Sequence, residues 1–131
     1  MLRRLACATL FACPLAALAV EPGEWELSIQ TVMSGAQKPA AASQKRCFTE
    51  ADRRDPSRVL SAGGTCEFSN KNDSGGTFTF DVSCTGPLPM QGKGQVIYTG
   101  QMIEGSLDLQ AKETSSFQMQ TLLKGRRLGP C

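Results

Sequence analysis

A chain of 131 residues with a formal net charge of +2 and no histidine narrows the chemistry before any motif is sought. Without imidazole there is no Ser–His–Asp or Cys–His nucleophile, no histidine-bearing zinc site and no ordinary pH switch near neutrality. So small a charge excess gives no basis for the phosphate neutralisation that dominates nucleic-acid binding, and no basic block marks a binder of anionic membranes.

Residues 1–19 read as an export signal. Arg3 and Arg4 supply a positive n-region, Leu5–Val20 is an uncharged apolar run, and Ala17-Leu18-Ala19 is a small-x-small cleavage site. The run is too short to span a bilayer and is ended by Glu21-Pro22. Cleavage near Ala19 leaves residues 20–131 as a single domain, periplasmic or secreted, not transmembrane and monomeric. Arg3 and Arg4 account for the whole charge excess, so this domain is formally neutral. Cys13, after Leu10-Phe11-Ala12, loosely resembles a lipid-attachment box. Phe11 is bulky for its position there, and the apolar run continues past Cys13.

Period-two alternation organises the domain behind the leader. Trp25, Leu27, Ile29 and Thr31 alternate with Glu24, Glu26, Ser28 and Gln30, which predicts a half-buried first strand. Ser34-Gly35 and the Pro/Ala stretch Gln37–Ala42 break it, and a shorter second strand covers Ser43–Phe48. Thr49 is placed to cap a helix with Glu50 and Asp52 in its first turn, and Asp55-Pro56 repeats the signal. Two short turns are therefore expected at 50–54 and 56–61, ended by Gly63-Gly64, with Val59 and Leu60 on the sheet.

Thr65–Asn72 and Thr77–Cys84 flank Asp73-Ser74-Gly75-Gly76 as a hairpin. Folding symmetrically about Gly75 sets Cys66 against Cys84, Phe68 against Val82 and Asn70 against Phe80, with the cysteines and the apolar residues on one face. Phe78 shares that parity, but its place near the hairpin tip leaves its burial open. A Gly/Pro loop, Thr85–Gly92, precedes a second hairpin of Gly94–Thr99 and Met102–Lys112, in which Tyr98 faces Ile103 and Val96, Leu107 and Leu109 share a face. After a loop at Glu113–Ser115, Met119 opposes Leu109 and Phe117 opposes Ala111. The last strand ends near Lys124, and Gly125–Cys131 is an irregular tail.

The expected fold is mainly β: six or seven antiparallel strands with one short helix between the second and third. A curved sheet or partly closed barrel is expected, its open side covered by the helix and the N-terminal segment. A flat sandwich of two sheets is the alternative.

Beyond the leader the cysteines are Cys47, Cys66, Cys84 and Cys131, an even set without a C-x-x-C pair. In a short exported chain they read as a disulfide framework. The hairpin register brings Cys66 to Cys84, which leaves Cys47 for Cys131.

No residue set is arranged for catalysis, a cofactor or a metal. Met33, Met90, Met102 and Met119 are scattered without an M-x-x-M repeat and read as packing rather than as copper(I) ligands. Arg126-Arg127 read as a solvated tail, unless Cys131 staples it over the sheet and one arginine pairs with a carboxylate. Trp25, Phe68, Phe80, Tyr98 and Phe117 either fill the core or line a pocket inside a curved sheet. The expected function is a non-enzymatic binding module of the cell envelope, holding a small apolar ligand or lipid. The alternative is a protein-interaction or inhibitor module that meets an envelope protein through an exposed loop such as Thr85–Gly92.

Five local patterns add to this reading: Pro22-Gly23-x-Trp25-Glu26, Cys47-Phe48-Thr49-Glu50, Cys84-x-Gly86, Tyr98-x-Gly100 followed by Glu104-Gly105, and the closing Gly125-Arg126-Arg127-Leu128-Gly129-x-Cys131. Together they resemble an exported proteobacterial family called domain of unknown function 3617, over nearly all of residues 20–131. The resemblance implies an envelope protein of unassigned activity and supplies no catalytic residue. The family is often Met-rich in its last two strands, and this chain is not.

Overall fold

The computed structural model describes residues 20–60, 65–114 and 116–131. The export signal, the lipid-attachment reading of Cys13, the Gly63-Gly64 stop and Ser115 lie outside the described residues. The described chain forms β1 (Gly23–Met33), β2 (Ala42–Phe48), α1 (Glu50–Arg54), a 3-10 turn (Pro56–Val59), β3 (Cys66–Ser74), β4 (Thr77–Cys84), β5 (Met90–Thr99), β6 (Met102–Ala111) and β7 (Gln118–Gly129). All seven strands belong to one antiparallel sheet in the order β2-β1-β7-β6-β5-β4-β3. One sheet excludes the two-sheet sandwich. It curls around a common core but does not close, because β2 and β3 remain edges.

Alternation sets which residues face inward. β1 turns Trp25 and Leu27 into the curve, β4 turns Phe78, Phe80, Val82 and Cys84 inward, and β5 contributes Val96 and Tyr98. Trp25 stacks on Phe48 of β2, with ring centroids 5.2 Å apart. Val20, ahead of β1, is fully buried, and Glu21 accepts a hydrogen bond from the Trp25 indole at 2.8 Å through its backbone carbonyl. The N-terminal segment therefore plugs this end of the curl.

The helical connection spans the two open edges. At its start the Asp52 carboxylate accepts the Thr49 backbone N–H at 2.8 Å, the reach-back half of a capping box. Asp52 also pairs with Arg46 of β2 at 3.3 Å, and Asp55 pairs with Lys71 of β3 at 2.7 Å. Two adjacent acidic sites thus tie the connection to both edges.

The structure departs from expectation at several places. β5 begins at Met90, not after a loop running to Gly92. Gly92 is a strand residue: a Cβ there would collide with the Asp108 carbonyl, so the glycine marks close approach of β5 and β6. β7 continues to Gly129 and pairs with β1 on one side and β6 on the other, so residues 125–129 are strand rather than an irregular tail. Gly125 makes this possible, since a Cβ would stand 2.6 Å from Ile103 and 2.8 Å from Leu27.

The Asn70–Phe80 pairing is also replaced. Cys66–Cys84 and Phe68–Val82 hold, but a bulge between Ser69 and Asn72 shifts the register by one. Asn70 takes φ +49°, and its amide donates to Asp81 at 2.6 Å. The shift lets Ser74 meet Thr77 across a two-residue turn, Gly75-Gly76, whose φ values of +57° and +102° suit glycine. Phe78 is buried against Phe80, not exposed at the tip.

Both disulfides are formed, Cys66–Cys84 across the β3–β4 hairpin and Cys47–Cys131 between β2 and the end of the chain. The second staples the arginine-bearing segment to the sheet. Arg126 pairs with Glu26 at 3.2 Å, and Arg127 Nε donates to the Pro22 carbonyl at 3.0 Å.

Candidate functional site

The inward-facing side chains change character along the curl. Around Trp25, Phe48, Tyr98 and Ile103 they fill the interior completely. Farther along β1 the inward residues become Ile29 and Thr31, opposite Leu123 and Thr121 of β7. On β5 they become Gly92 and Gly94, opposite Leu109 and Leu107 of β6. Thr31 and Thr121 put little bulk into this half, whereas the places of the missing side chains at Gly92 and Gly94 are taken by the Asp108 backbone and the Phe80 ring.

The result is a cavity of about 590 Å³. Small-ligand sites span about 300–1,000 Å³. Its wall is formed by Ile29 and Thr31 of β1, Met119, Thr121 and Leu123 of β7, Leu107 and Leu109 of β6, and Val82 of β4. Cys66 and Phe68 of β3, Gln44 and Arg46 of β2, and Val59 with Leu60 complete it. Residues of both open edges line the cavity, so its mouth is the gap between β2 and β3.

Polar groups in the wall are few. The hydroxyls of Thr31 and Thr121 share a hydrogen bond of 3.2 Å, one donating and the other accepting. Arg46 is the one charged lining residue among the described residues. Its side chain remains 35% exposed, so it borders both cavity and solvent. Its guanidinium packs over the Phe48 ring, 5.5 Å from the centroid. Asp52, its partner, is buried and also receives Arg58 at 3.4 Å.

Two nearby groups are perturbed. Burial pulls the Asp55 carboxyl up, but hydrogen bonds from Lys71 and Ser57 outweigh it and hold Asp55 below the usual carboxylate range. Burial first, then the hydrogen bond to Asp73, pushes the Tyr98 phenol well above its ordinary value. Neither lies in the cavity wall.

Of the five aromatics singled out in the sequence, Phe68 lines the cavity. Trp25, Phe80 and Tyr98 belong to the filled core, and Phe117 packs half-buried against it. Alternation alone missed Leu107, Leu109, Met119 and Arg46 as one constellation. The signal that could have found it was the pair of hydroxylated residues, Thr31 and Thr121, at inward positions where a filled core needs bulk.

A second hollow, of about 690 Å³, opens beside Lys93 and Asp108. Gln91, Gln110, Gln118 and Gln120 border it together with Val32, Met33, Leu109 and Met119, the last two shared with the first cavity. Among the described residues no three carboxylates or thiols gather as metal ligands, and no helix is long and apolar enough to cross a membrane.

No curated protein and no solved structure matches the chain. The model of one family, described as a protein of unknown function (DUF3617), matches residues 20–131, and the chain therefore belongs to that family.

Proposed function

We propose that this protein is a non-enzymatic binding module of the cell envelope, periplasmic or secreted, that holds a small apolar ligand or lipid in the cavity between β2 and β3. The observation that carries this reading is the contrast within one interior. One half is packed with aromatic side chains, while the other keeps an apolar hollow open at the sheet edges. Interiors close-pack unless something else occupies the space, and an unfilled apolar hollow costs stability. Two disulfides suit an oxidising compartment. A protein-interaction role draws less support. The loop that would carry it spans only residues 85–89, and its one exposed leucine, Leu88, is an ordinary surface feature.

The test is displacement of an environment-sensitive apolar fluorophore by the wild type and by Leu109→Trp, which fills the cavity from β6. The wild type is expected to bind the probe. The variant should lose at least about tenfold in affinity while keeping a folded circular dichroism spectrum. Equal binding by both proteins, or none by the wild type, would remove the cavity from the function. Native mass spectrometry of protein taken from its own compartment without reductant should show a bound hydrophobic mass.

A further inference from the structure

We infer that the ligand is an anionic single-chain amphiphile, its chain in the cavity and its headgroup on Arg46. This rests on reading the cavity as a ligand site and goes on to name the ligand's chemistry. The first observation is size. At roughly 30 Å³ for each methylene-sized group, about the share of a water molecule, a cavity of about 590 Å³ takes fewer than about 20 carbons. That is the size of one acyl chain rather than two.

The second observation is charge at the mouth. Arg46 is the sole charged group of the wall among the described residues, and no carboxylate lines it. Asp52 does not quench this charge, because one carboxylate is shared between Arg46 and Arg58. Both arginines meet Asp52 Oδ1, while its Oδ2 accepts the Thr49 N–H and hydroxyl at 2.8 and 3.1 Å. Arg46 therefore has only a share of one carboxylate.

The third observation is geometry. Arg46 reaches Asp52 through Nη2 and the Arg58 carbonyl through Nη1 at 3.5 Å, a long contact. A guanidinium has five N–H donors in a planar fork, so it keeps capacity for a bidentate anion. The Phe48 ring holds it in place at the point where β2 borders the hollow. Gln44, two residues along the same edge and facing the same way, adds an amide donor to the mouth. An apolar tunnel ending in one anchored cation matches a carboxylate or phosphate on an acyl chain.

The experiment is calorimetric titration of the delipidated full-length mature protein with four dodecyl ligands: dodecanoate, dodecyl phosphate, dodecylamine and dodecanol, each below its micellar concentration. The anionic ligands are expected to bind about tenfold or more tightly than dodecanol, as a charge-assisted hydrogen bond would give, and dodecylamine more weakly still. In Arg46→Gln that preference should fall below about threefold. A preference for dodecanoate points to a fatty acid and one for dodecyl phosphate to a lysolipid headgroup, and both support the assignment. Equal affinities for charged and neutral heads in the wild type would overturn it and leave the cavity reading standing. Binding of none of the four would remove both. Should Arg46→Gln fail to fold, the wild-type comparison among headgroups decides alone.

Discussion

Tyr98 is the one tyrosine of the chain, and its buried phenol donates to the Asp73 carboxylate. Its ionisation is therefore a clean reporter of the fold. With the folded-state pKa raised, the fold favours the neutral phenol. That contribution is complete below about pH 10, the unfolded value, and is lost as pH rises toward the folded one. Phenolate absorbance is expected to appear only as circular dichroism reports unfolding, at a pH well above 10. Phenolate forming in an intact fold would contradict the burial. Tyr98→Phe should cost about 1 kcal/mol at neutral pH, since Asp73 is solvent-exposed and can rehydrate, and should remove the alkaline loss. At this scale Tyr98 was readable as an inward residue from its strand's alternation. Arg46 was not. Ala42–Phe48 is largely polar, so nothing local showed that Gln44 and Arg46 look into a cavity rather than into water.

Among the elements, β5 shows how absent side chains let neighbouring groups approach. At Gly92 the Asp108 backbone, and at Gly94 the Phe80 ring, occupies the place a side chain would take. Gly94→Ala would drive a methyl into the Phe80 ring, and a cost of about 1–3 kcal/mol is expected from overpacking. Gly100→Ala is the control, since no atom lies near its added methyl. Its effect should stay within about 0.5 kcal/mol. Urea unfolding with unchanged slope checks both. The helical connection was legible almost to the residue, because Thr49, Asp52 and the Asp55-Pro56 pair act through local hydrogen bonding and a fixed proline φ. The bulge at Asn70 and the strand beyond Lys124 were not. Each depends on a partner strand, and glycines such as Gly92 and Gly125 look alike in a loop and at a close crossing.

For the whole molecule, the bridge from Cys47 to Cys131 spans 84 residues and that from Cys66 to Cys84 spans 18. The chain-entropy account assigns about 4–5 kcal/mol to the first and about 3 kcal/mol to the second. Serine pairs replacing each bridge, compared by guanidinium unfolding, should show the larger loss for Cys47–Cys131. For a domain with typically about 5–15 kcal/mol in hand, that loss threatens folding itself. The reverse ranking would mean that the long loop already retains structure when unfolded. Strand parity, the helix and both cysteine pairings followed from the sequence by itself, because each rests on contacts between neighbours or on elimination within a small set. Only the tertiary structure decided that β7 lies between β1 and β6, that β2 and β3 stay apart, and that one half of the interior is hollow. The reason is physical: alternation tells each strand which side faces in, whereas the space left inside is a sum over side chains from six strands and a helical turn, and no single segment carries that sum.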